Sequence, residues 1–391
     1  MDFRLSEKQE KVRDITRKFA REVVGPMAQE YNRTGKHPYD LIDRMAELGM
    51  MGIPFPREYG GGDGDWVSMC LCLEELARVD VLPAVILNVS AVGVGQELFA
   101  FGTESQKQRW LIPILQGKEI GASALTEADA GSDAGSIKTS AILDGDEWVI
   151  NGSKQFITNT GIRNNSIVVV AAKTQVPSSE KETICTLVVP VDTPGFEVGQ
   201  KYEKMGEPAV SNHELVFNQC RIPKDFLLGD LHKGFSQRLA GLQTGRIAIG
   251  AIATGVAQAC FDEALEFCRR KAGGRLSLLK SQRDPFSLAD MAIRVELCRT
   301  LYLKAGCLKD LGIAHTLEAC SAKLYASETS TNIVNEVLRM CGPSGHLNDS
   351  PVSRYFRVAK LHEIVEGTSE MQKIIIAREL LGLSKDASKK H

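Results

Sequence analysis

At 391 residues, 43% of them hydrophobic and 25% charged, the chain has the composition of a soluble globular protein with room for two or three domains or one large layered one. A net charge of −2 gives no basis for nucleic acid or an anionic membrane surface as partner. The opening Met1-Asp2-Phe3-Arg4-Leu5-Ser6-Glu7 has no apolar signal core and is not an Arg/Ser-rich transit peptide; no stretch reads as a membrane span, so the expected location is the cytoplasm. The ten cysteines, scattered from Cys70 to Cys341 without a Cys-x-x-Cys pair, read as reduced buried thiols, and no metal site is expected.

In chain order the first third reads as helices. Ser6 and Gln9 form a capping box ahead of Val12, Ile15, Phe19 and Val23 at helical spacing, and Gly25-Pro26 is read as the stop. Leu41, Ile42, Met45 and Leu48 give a second helix ended by Gly49. The glycine-rich turn Tyr59–Gly64 follows no strand, so it is a linker and not a phosphate loop. Helices follow over Trp66–Arg78 and Pro83–Phe101, with a shorter one between Glu104 and Leu115. Near Gly117 the texture changes to short β-branched runs, Trp148–Ile150, Ser166–Ala171 and Ile184–Val189, bounded by turns such as Asp144-Gly145-Asp146, Asn151-Gly152 and Pro194-Gly195. With no helical pattern between them, these strands predict a β-barrel or sandwich. From Gly234 long helical periods return, with Ile249, Ile252, Val256 and Cys260 on one face and further helices over Phe286–Leu311 and Thr316–Met340. The expected fold is therefore α+β: an N-terminal helical domain (1–117), a middle β domain (118–225) and a C-terminal four-helix bundle (226–391).

Three segments carry chemistry. In Leu125-Thr126-Glu127-Ala128-Asp129-Ala130-Gly131-Ser132-Asp133, small residues allow close backbone approach to a flat ring, while Thr126 and Ser132 offer hydroxyl donors. In Asn151-Gly152-Ser153-Lys154-Gln155-Phe156-Ile157-Thr158-Asn159, the first pair reads as a tight hairpin turn, Phe156 as a stacking ring and Thr158 as a polar edge. The third runs from Pro351-Val352-Ser353-Arg354 through Arg357-Val358-Ala359-Lys360 into Val365-Glu366-Gly367-Thr368. Alone, the last stretch is ordinary loop chemistry before a helix cap.

Together these segments, in this order on a helices–strands–helices chain, resemble the FAD-dependent acyl-CoA dehydrogenase family over essentially the whole length. The resemblance implies that Glu366 is the catalytic base, that Ser132, Gln243, Arg246 and Gly367 contact substrate, and that Ser123, Leu125, Thr126, Gly131, Ser132, Phe156, Ile157, Thr158, Thr368 and Glu370 hold FAD. It implies adenine-side contacts from a neighbouring subunit through Lys271, Gln282, Arg339 and Gly342, and hence a homotetramer. It also implies removal of an α-proton from an acyl-CoA, with the thioester oxygen held by the Glu366 N–H and a ribityl hydroxyl of FAD. Hydride passes from the β-carbon to the flavin, a 2-enoyl-CoA is the product, and electron-transfer flavoprotein is the acceptor. Burial is what would raise such a base toward neutrality.

The chain departs from the family pattern in places. The arginine of the usual Arg-x-x-Phe-Gly appears as Lys271, with Gly274 where the aromatic stands; one extra loop residue would instead align Arg270. A later glutamine appears as Arg339, whose planar fork suits phosphate. The usual tyrosine before the base is Val365, and Gln243 replaces an aspartate. Some relatives carry the base at the position of Gly245; here Gly245 cannot act, and Arg246 is read as steadying the Glu366 loop. Small Gly245 and Val365 suggest a roomier pocket for a short, branched or alicyclic acyl group. The absence of a cation between Arg78 and Lys107 argues against a dicarboxyl substrate. Two alternatives stay open: a same-fold enzyme run as an enoyl-CoA reductase or acyl-chain eliminase, and a non-catalytic acyl-CoA or flavin-binding scaffold.

Overall fold

The computed structural model describes residues 4–162, 165–175, 182–271 and 283–383. Helix α1 (Glu7–Phe19) begins on the expected capping box, Ser6 Oγ accepting from the Gln9 N–H and the Gln9 side chain from the Ser6 N–H. Gly25-Pro26 does not stop it. A π-helical turn, Ala20–Val24, carries the chain into α2 (Gly25–Thr34), where Pro26 sits in a first turn that has no use for its missing N–H. Next come α3 (Tyr39–Glu47), α4 (Trp66–Ala77), α5 (Val81–Leu87), a π turn over Asn88–Gly95, α6 (Gln96–Phe101), α7 (Glu104–Gln106), a π turn over Lys107–Leu111 and α8 (Ile112–Leu115).

One curled, seven-stranded sheet follows: β1 (Ile120–Ala124), β2 (Ser140–Asp144), β3 (Glu147–Thr158), β4 (Asn165–Gln175), β5 (Glu182–Pro190), β6 (Phe196–Lys201) and β7 (Asn212–Pro223), in the order β1-β4-β2-β3-β7-β6 with β5 also on β4. β1 runs parallel to β4 and is pinned to the π turn between α5 and α6. The Gly121 N–H donates to Ser90 Oγ at 3.1 Å, and a Cβ at Gly121 would lie 2.6 Å from Val94 Cγ1. The last part contains α9 (Gly234–Lys271), α10 (Arg283–Asp310), α11 (Thr316–Cys341), α12 (Pro351–Ala359) and α13 (Ser369–Leu380), with α11 packed on α9, α10 and α13.

Asn151-Gly152 is not a hairpin turn. Both residues lie inside β3, where the register against β7 shifts between Ile150 and Gly152. The glycine is needed there for close approach, since a Cβ would sit 2.7 Å from Thr139 Cα. The turn that joins β2 to β3 is Gly145-Asp146, with Gly145 at φ +65°.

The helices before and after the sheet share a core. One buried cluster joins Phe19, Leu41, Leu73 and Leu76 to Ile252, Val256, Tyr302 and Val334; a second joins Val94, Leu98, Trp110 and Leu111 to the sheet. Two helices, Val81–Phe101 and Gly234–Arg270, are long and apolar enough to cross a membrane, contrary to the reading from sequence. Within the fold 61% and 78% of their apolar windows are buried, so protein already covers most of that surface. None of the ten cysteines is in a disulfide; eight are buried, and Cys307 is exposed.

Candidate active site

Glu366 lies in the loop between a 3₁₀ turn, Lys360–Glu363, and α13. Its φ is +55° and that of Gly367 is +90°. A glutamate in the left-handed region is an uncommon conformation that persists only where its surroundings impose it. Here they do. Arg246 Nε on α9 donates to the Glu366 carbonyl at 3.4 Å, and Gln372 Nε2 on α13 donates to the same oxygen at 3.1 Å. Gln372 Nε2 also reaches the Gly367 carbonyl at 2.8 Å, and Lys323 Nζ on α11 reaches it at 2.7 Å. Thr368 caps α13, its Oγ accepting from the Met371 N–H at 3.4 Å. The Glu366 N–H makes no hydrogen bond among the described residues.

The Glu366 carboxylate is turned inward. Oε2 is buried with no hydrogen-bond partner among the described residues. Burial pushes its pKa up to about 6 against the opposing pull of Arg246 and Arg238, and the charge of Glu97 adds to the rise. The carboxylate lies over Gly245 on α9, where a Cβ would come within 2.6 Å of Oε2 and 2.7 Å of Cδ. The space opened by Gly245 is therefore filled by Glu366 itself, which corrects the expectation that this glycine widens the acyl pocket.

Along the same face of α9, Gly241 packs against Glu97 of α6, and Arg238 forms a buried ion pair with Glu97. Arg238 Nη2 donates to Ser123 Oγ on β1 at 2.7 Å. So Ser123, read from sequence as a cofactor contact, has its hydroxyl engaged by an arginine. That bond ties the α9 face to the strand leading into Leu125 and Thr126.

The two loop segments are locked together by a pair to which sequence gave no role. Lys154 Nζ, fully buried, donates to Glu127 Oε1 at 2.7 Å and to the Leu125 carbonyl at 3.0 Å. Glu127 also accepts from the Lys138 and Thr139 N–H groups at 2.6 and 3.0 Å, and the Gln155 N–H donates to the Thr126 carbonyl. Burial pulls the Lys154 ammonium down to about 8 despite its partner. Beside this brace Phe156, at φ +60°, is 60% exposed and has one neighbour ring, Tyr202, at 4.7 Å. Asn212 Nδ2 holds the Phe156 carbonyl at 3.0 Å and Thr158 Oγ1 at 3.1 Å, while Ile157 points into the core. Ser132 and Gly131 are exposed, and a Cβ at Gly131 would meet nothing within 4 Å. An exposed aromatic face, hydroxyls at Thr126, Thr158 and Ser132 and open backbone at Gly131 form a donor set that fits a flat heterocycle with a polar edge and a pyrophosphate.

Of the other predicted residues, Gln243 is half-buried on α9 and Glu370 is exposed in the first turn of α13. Arg339 and Gly342 lie at the C-terminal end of α11, apart from Glu366 in this chain, with Arg339 exposed and Gly342 at φ +60°. Lys271 is the last residue of α9, its side chain outside the description; Gln282 lies outside the described residues. Sequence reasoning missed Lys323, Gln372, Glu97 and Arg238. A signal existed for Lys323: it interrupts the buried face Ala319, Ala322, Ala326 and Ile333 of α11, and an unneutralised lysine there needs an acceptor. Burial draws its pKa down to about 8.

A helices–sheet–helices chain with a half-buried glutamate of raised pKa, one of whose carboxylate oxygens is buried without a hydrogen-bond partner among the described residues, and a separate ring-accepting loop pair has the layout of a cofactor-dependent enzyme that removes protons. Known proteins make the assignment specific. Sequence profiles described as acyl-CoA dehydrogenase N-terminal, middle and C-terminal domains match residues 6–118, 122–220 and 232–381. A probable acyl-CoA dehydrogenase of Bacillus subtilis is 42% identical, covering 97% of this chain and 100% of the relative. The short-chain specific acyl-CoA dehydrogenase of Clostridium acetobutylicum is 40% identical over the same shares. Among solved structures, butyryl-CoA dehydrogenase of Megasphaera elsdenii superposes with a TM-score of 0.93 at 35% identity, covering 97% of this chain and 100% of that one. A chain from work on the electron transferring flavoprotein of Acidaminococcus fermentans gives the same TM-score at 36% identity, over the same shares. The chain belongs to the acyl-CoA dehydrogenase family, FAD-dependent oxidoreductases that act on CH–CH bonds.

Proposed function

We propose that the chain oxidises a short acyl-CoA thioester, straight, branched or alicyclic, to its 2-enoyl-CoA, with Glu366 as the base that takes the α-proton. The observation that carries this is the Glu366 carboxylate: its Oε2 is buried without a partner among the described residues and its pKa is raised to about 6, so it is largely ionised at neutral pH yet poorly solvated. The Glu366 N–H, uncommitted among the described residues, is available to the thioester oxygen as negative charge develops there. Arg246, Gln372 and Lys323 hold the loop carbonyls so that the carboxylate and that N–H face the reacting carbon together. Ser132, Gln243 and Gly367 complete the substrate contacts in this reading.

Ser123, Leu125, Thr126, Gly131, Ser132, Phe156, Ile157, Thr158, Thr368 and Glu370 would hold FAD, which when bound would supply a two-electron acceptor for the hydrogen of the β-carbon. Lys271, Gln282, Arg339 and Gly342 would serve the adenine side of a neighbouring subunit's FAD in a homotetramer, and electron-transfer flavoprotein would reoxidise the enzyme. The similarity to butyryl-CoA dehydrogenase and to the short-chain specific enzyme supports the short acyl group. The test is anaerobic titration of the purified holoenzyme with saturated acyl-CoAs. Flavin bleaching by butyryl-CoA is expected, with loss in Glu366→Gln while FAD stays bound. No bleaching by any saturated acyl-CoA refutes the proposal.

A further inference from the structure

We propose that the loop joining β6 to β7, residues 202–211, is a strap that fastens strand β3, with Phe156 and Thr158, to the helical body, and that loss of a proton from Glu207 at its tip loosens it. The proposal is independent of Glu366. It rests on the reading above only for the place of FAD against Phe156 and Thr158.

The two ends of the loop grip β3. They are closed on each other by a 3.0 Å bond from the Tyr202 N–H to the Asn212 carbonyl. At one end the Tyr202 ring packs on Phe156, and its hydroxyl donates to Gln155 Oε1. At the other, Asn212 Nδ2 donates to the Phe156 carbonyl and to Thr158 Oγ1. The Asn159 N–H donates to the Ser211 carbonyl at 3.0 Å, and Ser211 Oγ donates to the Thr160 carbonyl.

The tip is wedged among helices from both ends of the chain. A Cβ at Gly206 would lie 2.9 Å from the Arg357 carbonyl oxygen and from Val358 Cγ1 on α12. A Cβ at Gly35, just past α2, would lie 3.4 Å from the Pro208 carbonyl oxygen, and the His37 ring meets the Ala209 carbonyl at 3.3 Å. Ala209 and Val210 belong to the buried cluster that both sets of helices share. Between them Glu207 holds a left-handed backbone, φ +53°, which is uncommon away from glycine.

Glu207 is 3% exposed, and its Oε1 is buried without a hydrogen-bond partner among the described residues. A buried carboxylate calls for a matched cation, and the charges around this one do not supply it. Lys204, on the same loop, directs Nζ to the Val210 carbonyl at 2.6 Å. Asp80, ahead of α5, adds like charge, and Arg354 of α12 is matched to Asp80 at 3.1 Å. Arg357 donates to Ser353 on its own helix, and His37 faces a backbone carbonyl. Burial accordingly pushes the Glu207 pKa up to about 7 against the pull of Lys204, with Asp80 adding to the rise. The folded value lies above the ordinary 4.5, so the strap grips fully below about pH 4.5. Its grip weakens as pH rises to about 7 and stays at that lower level beyond.

The test follows the FAD-loaded protein from about pH 5.5 to 8.5 by two readouts. One is hydrogen exchange of the loop peptide, corrected for intrinsic exchange; the other is FAD release on dilution, read by flavin fluorescence. In the parent, loop opening and FAD release should both rise by at least about tenfold and level off above about pH 7. Glu207→Gln keeps the size of the side chain and leaves His213 and Glu366 in place, so its rise should stay within about twofold. Lys204→Met removes the opposing cation and should move the levelling point to higher pH, a shift that a merely structural role would not produce. A parent whose loop exchange changes by less than about threefold overturns the proposal. So does a Glu207→Gln protein with the parent's pH dependence. Loop exchange that rises as expected while FAD release stays flat upholds the strap and counts against FAD resting on Phe156 and Thr158.

Discussion

Gly245→Ala is the sharpest probe of the proposed role of Glu366 as the base. The added methyl would lie 2.6 Å from Glu366 Oε2, 2.7 Å from Cδ and 2.9 Å from Oε1, three contacts shorter than any a real Cβ keeps. Reaching an ordinary contact of 3.4 Å requires the carboxylate to retreat by the difference, about 0.8 Å. The helix cannot yield instead, because Gly245 is buried between Thr244 and Arg246 in a helix packed on α4, α10 and α11. Misplacing a reacting group by about 1 Å costs on the order of 100-fold in rate. The expected result is a drop of about that size in the rate of anaerobic flavin reduction by butyryl-CoA, followed by stopped-flow absorbance, with far less change in substrate binding. Alanine in a helix interior is favoured over glycine by about 0.5–1 kcal/mol, so the loss cannot be laid to an unstable helix. A reduction rate within about threefold of the parent, with FAD fully bound, would refute the contact between Gly245 and a working base.

Glu366→Gln should stabilise the protein at high pH. The folded pKa of about 6 lies above the ordinary 4.5, so the folded state binds the proton more tightly. Burying the ionised form therefore costs nothing below about pH 4.5 and reaches its full cost, about 1–2 kcal/mol, above about pH 6. Urea unfolding should show the variant ahead of the parent at pH 8 and level with it at pH 4.5; a gap that does not depend on pH would contradict this. Lys154→Met strands the Glu127 carboxylate, which keeps its two backbone donors, and should cost about 3 kcal/mol in urea along with loss of FAD on gel filtration. A cost under about 1 kcal/mol would show that the brace matters little. Arg339→Gln should lower FAD retention several-fold on dilution if this arginine supplies a phosphate contact; retention equal to the parent's rules that role out.

Patterns local in the chain were legible in the sequence, and pairings across it were not. The capping box at Ser6, the long helices, the three β-branched runs and Glu366 itself could be read because period, cap and motif are properties of neighbouring residues. Gly25-Pro26 misled because a proline one residue into a new helical turn looks, in sequence, like one that breaks it. Asn151-Gly152 misled because the pair that favours a tight turn also serves a strand that another backbone approaches closely. Glu97 and Arg238 lie 141 residues apart, and neither is unusual on its own helix. Their meaning arises only where α6, α9 and β1 meet. Gly245 shows the same limit: sequence reveals its small size, but only the fold reveals that Glu366 fills the space.

The cluster that joins Phe19, Leu41, Leu73 and Leu76 to Ile252, Val256, Tyr302 and Val334 bears on how the molecule comes apart. The segments matched by the N-terminal and C-terminal profiles are separated in the chain by the whole sheet, yet neither owns a complete interior. Cooperative unfolding units follow shared burial, not chain order. The opening helices and the closing bundle should therefore melt as one body. The loop bearing Glu366 is fastened to that body through α9, α11 and α13, so it cannot loosen far without drawing on the stability of the whole interior. The left-handed turn at Glu366 is thus held in place by residues from both ends of the chain.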